Sequence, residues 1–446
     1  MFIRAKSIGL RIVAISAVMS ASILGLAACG EKDVILPGER SEILDLIALP
    51  TTDDAATNEG AMIGEAIPNI IYSHPGLLAS HAGGHLALDL PLEQAWSANI
   101  GDSADFGTLM AAPVASRGMV FAITPDKMVT ALNIEDGSIV WSRQIEQQID
   151  DTQPGIAGGL AFNDDQLYAH AGGNVVVSLD AATGEENWRE TFDLPILGGP
   201  TVSDQGLAIT DFDGRLIVLN KTDGTFLWSR VGNPETTRVL GVSSPAIAKN
   251  EVIFAGNDAE ISALDLSQGG FLWGDNLASL LPQTALDQIN TIVGHPVHAG
   301  GIVYAGSMSG RFAAFNTRTG SLAWEIMLPS HQMPWVAGNS IFVVSTKGRV
   351  YALRRNDGAL RWISSLPGAI PLDVNVSDKP IRHLGPIVAG GQVIVLDQNG
   401  RAYFLDPDTG AMLSNMSLAN KISAPPIVSG GSFILLDDSG RLYAFR

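Results

Sequence analysis

The sequence predicts an all-β fold: an eight-bladed β-propeller of four-stranded antiparallel blades, closed by its N- and C-terminal strands. Three observations carry that expectation. A Gly-x-x-x-Trp motif recurs at intervals of 38 to 52 residues, the spacing of one propeller blade. Most copies are preceded by a proline that opens two further strands. The series also begins with an orphan strand and ends with a blade that lacks one.

Each copy of the motif is an apolar strand ending near Leu-Asp or Leu-Asn, a tight turn with Gly, and Trp four residues after it. The copies are Leu132-Asn133 with Gly137 and Trp141, Leu179-Asp180 with Gly184 and Trp188, and Leu219-Asn220 with Gly224 and Trp228. They continue as Leu264-Asp265 with Gly269 and Trp273, Phe315-Asn316 with Gly320 and Trp324, and Leu353-Arg354 with Gly358 and Trp362. A seventh, Leu405-Asp406 with Gly410, has Ser414 in the tryptophan slot, and Trp96 stands alone ahead of the series. Asp-Gly and Thr-Gly pairs supply the positive-φ residue that a two-strand turn needs. With period two, the apolar residue at Gly+2 and the Trp at Gly+4 share one strand face. The indoles are therefore expected to point between blades, each burying roughly 150–250 Å2. Trp335 is the one tryptophan outside the slot.

The earlier half of most repeats opens at Pro113, Pro200, Pro245, Pro296, Pro386 or Pro426. It runs through a strand, a turn and a second strand to another turn. That turn is often Gly-Arg, as at Gly214-Arg215, Gly310-Arg311, Gly348-Arg349, Gly400-Arg401 and Gly440-Arg441. This gives strands A, B, C and D, with Trp on D. The tail from Pro426 supplies A, B and C only, so the orphan strand at Trp96 is expected to complete that blade and remove the open sheet edges.

The domain organisation expected is a signal peptide over 1–28, a lipidated N-terminus and tether over 29–86, and the propeller over 87–446. Arg4, Lys6 and Arg11 precede an apolar run from Ile12 to Ala28 that ends at Leu26-Ala27-Ala28-Cys29. Small residues before a cleavage point mark an export signal. The cysteine there resembles the bacterial lipobox, which implies diacylation of Cys29, and the absence of Asp after it implies sorting to the outer membrane. Cys29 is the only cysteine, which excludes an intramolecular disulfide, a Cys-type zinc site and a CxxCH haem site. In the tether, Ser41 to Leu49 is expected to form a short helix ended by Pro50. Ile70, Ile71 and Tyr72 are expected to touch the propeller. His81 and His85 have zinc-like spacing with His74 and Asp89 nearby, but Gly83-Gly84 makes a poor helix, so a solvated loop is expected.

The formal charge of −19 becomes roughly −22 once residues 1–28 and their three cations are removed. That balance argues against nucleic acid or an anionic membrane surface as partner. The Gly-x-x-x-Trp repeat resembles the quinoprotein dehydrogenase propellers, which need a cysteine pair or its equivalent, calcium held by carboxylates and a catalytic Asp. The body of this chain has no cysteine, no calcium loop and no telling carboxylate dyad. Asp53-Asp54, Asp150-Asp151, Asp164-Asp165 and Asp437-Asp438 read as turn acids, and His295 and His298, flanking Pro296, as structural. No Gly-x-Ser-x-Gly or phosphate loop is present.

A lipid-tethered propeller of this repeat, without the enzyme site, resembles the BamB family over residues 29–446. The resemblance implies a non-enzymatic periplasmic lipoprotein of the β-barrel assembly machinery, with no cofactor and no metal. It implies binding to the POTRA domains of BamA and help in inserting outer-membrane β-barrel proteins. The family's docking loops match Thr237-Arg238-Val239-Leu240-Gly241 and Thr291-Ile292-Val293. The family's Leu-x-Leu-Arg run is altered in the first, and its two Asp are Thr291 and Val293 in the second. The alternative from another class is a degenerate quinoprotein-like redox or ligand-binding propeller.

Overall fold

The computed structural model describes residues 50–103, 109–146, 158–232, 243–256, 258–279, 291–370 and 381–446. Cys29, the Ser41–Leu49 segment, Asp150-Asp151 and Thr237 to Gly241 lie outside the described residues.

Eight four-stranded antiparallel sheets form an eight-bladed propeller. Blade 1 is typical, with strands A to D at Val114–Ser116, Met119–Ile123, Met128–Asn133 and Ile139–Gln144. Blade 8 takes A, B and C from Ile427–Ser429, Ser432–Leu436 and Arg441–Phe445, and D from Gln94–Asn99. The register there runs from Trp96 opposite Ala444 to Asn99 opposite Arg441, so the two ends of the propeller close one sheet.

A single stitch repeats between blades. The indole of each slot tryptophan lies on the turn glycine of the next blade: Trp96 on Gly137, Trp141 on Gly184, Trp188 on Gly224, Trp228 on Gly269, Trp273 on Gly320, Trp324 on Gly358 and Trp362 on Gly410. A Cβ at any of these glycines would meet the ring at 2.4–2.7 Å, and their φ values lie between 69° and 77°. Only glycine satisfies both demands. Each indole N–H then donates to a carbonyl in the same turn, from Trp96 to Ile134 through to Trp362 to Pro407, at 2.6–3.2 Å.

The expectation that Gly+2 and Trp share a buried face is corrected. Every C–D pair within blades 1 to 7 carries a β-bulge between those positions. In blade 1, Ile139 pairs with Leu132 and Trp141 with Ala131, leaving Val140 as the extra residue. The bulge resets the alternation. Ile139, Phe226, Phe271, Leu322 and Met412 are accordingly exposed, while the indoles are wholly or largely buried. Leu360 of blade 6 is the buried exception. There a short helix, Asp54–Glu59, lies along the outer strand Leu360–Ser365. Asp53 N–H donates to Leu360 O at 2.8 Å, and the buried Arg361 guanidinium donates to Ala56 O at 2.6 Å.

Candidate functional site

Strand A of each blade pairs with B on one side only, so its other edge presents backbone N–H and C=O groups to the central axis. Buried groups of this kind need partners. Residues 69–86, expected as part of the tether, supply them in one circuit that visits the blades in ring order. Asn69 Nδ2 donates to Val428 O of blade 8 at 2.7 Å. Tyr72 exchanges two backbone bonds with Ala115 of blade 1, at 2.7 and 2.9 Å. Phe162 of blade 2 donates to Ser73 O at 3.0 Å, and Val202 of blade 3 to His74 Nε2 at 3.0 Å. Ile247 of blade 4 donates to Ala79 O at 2.7 Å, and His298 of blade 5 to Ser80 O at 2.9 Å. Gly84 donates to Val336 O of blade 6 at 3.2 Å, and Leu86 to Val388 O of blade 7 at 2.9 Å. All eight blade residues hold the equivalent position, opposite the second residue of strand B. The segment is an axial plug.

Trp335, the tryptophan outside the repeat, anchors this plug. It is 1% exposed, its Nε1 donates to Gly84 O at 2.6 Å, and its ring lies where a Cβ on Gly83 would be. His81 and His85 do not form a solvated loop; they are buried with His74. Tyr72 is buried as expected, but Ile70 and Ile71 are exposed. Gly83-Gly84 was a signal that sequence reading took for looseness and that the structure shows to be close packing.

His74 and His81 of the plug, and His295 beside it, are held neutral by burial. A backbone N–H donates to His74 Nε2 (Val202), to His85 Nε2 (Gly391, 2.9 Å) and to His295 Nδ1 (Ser244, 2.8 Å). Each of these nitrogens must keep its lone pair. Burial pushes His74 down to about 3 and His295 to about 4. His81, with its ring 5.4 Å from that of His295, is lowered by burial and by that neighbour. The unfolded chain thus binds more protons than the folded one below about pH 6.5. Stability from these groups is fully present above that pH and declines as pH falls through it toward about 4. Protection factors of amides in residues 69–86, corrected for the pH dependence of intrinsic exchange, are expected to fall between pH 7 and pH 4.5. His74→Gln, which keeps an acceptor without a titrating ring, is expected to flatten that dependence; an equally steep profile in the variant would remove His74 from it.

Beyond the plug, the axis holds a cavity of about 240 Å3 bordered by Tyr72, Pro75 and Gly76. Of the second docking loop, Thr291 and Ile292 are buried, with Ile292 in the core cluster of blades 4 and 5. Val293 is half-buried and borders the cavity. Thr291 and Ile292 thus pack within their own blades, and Val293 borders the axial cavity. Of the turn acids, Asp437 is buried and accepts from Ser439, Arg441 and Tyr443. No group of three or more His, Cys, Asp or Glu placed to hold a metal occurs among the described residues. Nor, among them, is any helix long and apolar enough to cross a membrane.

A family model described as "Outer membrane protein assembly factor BamB" matches residues 92–150 and 143–364. The chain belongs to the BamB family. Relatives include the BamB of Yersinia pestis, 26% identical over 234 residues, or 52% of this chain and 60% of that one. An uncharacterized protein of Rickettsia conorii is 26% identical over 231 residues, 51% of this chain and 55% of its own length. The matches thus span less than two thirds of these relatives. Among solved structures, BamB from Moraxella catarrhalis superposes with a TM-score of 0.67 at 22% identity, covering 80% of this chain and all of that one. Quinohemoprotein alcohol dehydrogenase from Comamonas testosteroni gives 0.63 at 15% identity, covering 88% and 84%. At these identities the likeness is one of fold, shared by assembly factors and dehydrogenases.

Proposed function

We propose that this protein is a non-enzymatic scaffold subunit of the β-barrel assembly machinery, facing the periplasm and held at the outer membrane by acyl chains on Cys29. In this reading it docks on the POTRA domains of BamA and assists assembly and insertion of outer-membrane β-barrel proteins. The observation that carries it is the family match, which runs unbroken from residue 143 to 364 and so includes both docking loops. A second observation favours the first loop as the docking element. Upstream of it in the sequence Val231 is 71% exposed, and the outer strands of blades 3 and 4 expose Phe226, Leu227, Phe271 and Leu272. Contiguous exposed apolar residues of this kind mark contact surfaces. Val293 is the member of the second loop with an open side chain, so Thr237 to Gly241 would carry most of the contact.

The test is a pull-down of the tagged, full-length protein from solubilised outer membrane. Recovery of BamA supports the scaffold; its absence, with a quinone or metal co-purifying instead, overturns it. Val239→Asp and Leu240→Asp are expected to lower BamA recovery at least tenfold while the melting temperature stays unchanged, since a buried interface carboxylate without a partner costs several kcal/mol. Unchanged recovery with both variants would take this loop out of the interface.

A further inference from the structure

The plug borders the axial cavity, and the chemistry of the cavity wall is unbalanced. Among the described residues, none bordering it is a carboxylate, although the chain as a whole carries −19. Arg382 borders it, and its Nε is buried without a hydrogen-bond partner. No carboxylate forms an ion pair with Arg382 among the described residues. Burial lowers its affinity for the proton, and Asp438 only partly offsets this. His331, on the same wall, is held neutral near pH 7 by burial and by the charges of Arg382 and His383, down to about 4. His295 accepts from Ser244 through Nδ1, which leaves its own proton on Nε2 as a donor. The rest of the wall is largely aliphatic, with Met110, Leu160, Leu197, Met333 and Leu384.

Arg382 is half-buried with its Nε unsatisfied and no ion-pair partner among the described residues, and a bound anion would supply the missing acceptor through a charge-assisted, often bidentate, contact. The aliphatic wall favours an apolar body attached to that anion over a bare ion. The volume suits a molecule at the small end of ordinary ligand size. We propose that the axial cavity binds a small organic monocarboxylate, its carboxylate on Arg382 and its apolar body among the aliphatic residues of the ring. The proposal rests on Arg382 and the cavity wall, so it stands or falls independently of the scaffold reading.

The experiment is calorimetric titration of the full-length protein at pH 7.5 and constant ionic strength with hexanoate and phenylacetate, against hexanol, 2-phenylethanol and sulfate. Saturable binding of at least one carboxylate, at least tenfold tighter than its alcohol and than sulfate, is the expected result. Arg382→Gln is expected to abolish that preference and Arg382→Lys to restore part of it, with the melting temperature of the free protein held within a few degrees. Equal binding of acid and alcohol, equal binding of sulfate, a preference that survives Arg382→Gln, or no saturable binding by either carboxylate would each overturn the proposal. Because the readout is a small-molecule titration, failure here leaves BamA recovery in the pull-down untouched, and the reverse.

Discussion

Removal of the last six residues, Arg441 to Arg446, is expected to abolish the cooperative fold. Arg441–Phe445 is an inner strand of its sheet and pairs on both sides, with Ser432–Leu436 and with Gln94–Asn99. Its Leu442, Ala444 and Phe445 are buried. Arg446 extends the closure: it exchanges backbone bonds with Glu93 at 2.7 and 2.9 Å, and its guanidinium donates to Ile134 O of blade 1. Two buried side chains at about 1.5–3 kcal/mol each and two ladders at about 1 kcal/mol per bond together rival the whole net stability of about 5–15 kcal/mol. The truncated ring would also present two open sheet edges, which favour aggregation. Circular dichroism melting decides the matter: loss of the transition is expected, and an unchanged midpoint would mean that other strands close the ring.

Trp335→Ala is expected to cost about 3–5 kcal/mol and to release the plug. The indole fills the space above Gly83 and holds Gly84 O, so its loss removes the anchor at blade 6. The other seven blade contacts remain, but the segment has only short turns and no ladder of its own to hold it once the anchor at blade 6 is lost. Hydrogen exchange at residues 69–86, together with denaturant unfolding, reads both effects. Trp228→Ala is the control, because Trp228 is half-buried and stitches blades 3 and 4 on the outside. It should destabilise the protein without raising exchange in the plug. Equal protection of the plug in Trp335→Ala and the parent would show that its anchor lies elsewhere.

Blades, turns and closure were legible in the chain because each is a local matter. A glycine at φ near 70°, a Trp four residues later and alternating apolar residues all fall within one blade. The orphan at Trp96 and the missing last strand pointed to each other for the same reason. The docking-loop assignment came only through family resemblance, and burial was decided by the fold. Thr291 and Ile292 occupy a loop in the sequence but a core in space.

Ser414 shows where local reading stops. It read as a weakened repeat, and the structure supplies the cause. A slot tryptophan needs the C–D turn glycine of the next blade, but blade 8 has no C–D turn, since its C strand ends the chain and its D strand precedes blade 1. The indole and the glycine it would pack on are absent together. The plug is the other case. Its contacts with strand A of all eight blades are made largely by backbone groups that every residue type carries, to positions spread from Ala115 to Val428. Such bonds leave no period and no composition in the sequence. The chain by itself therefore determined the eight blades, through turn sterics and strand period. Only the closed ring, which brings eight strand edges around one axis, decided that residues 69–86 fill it.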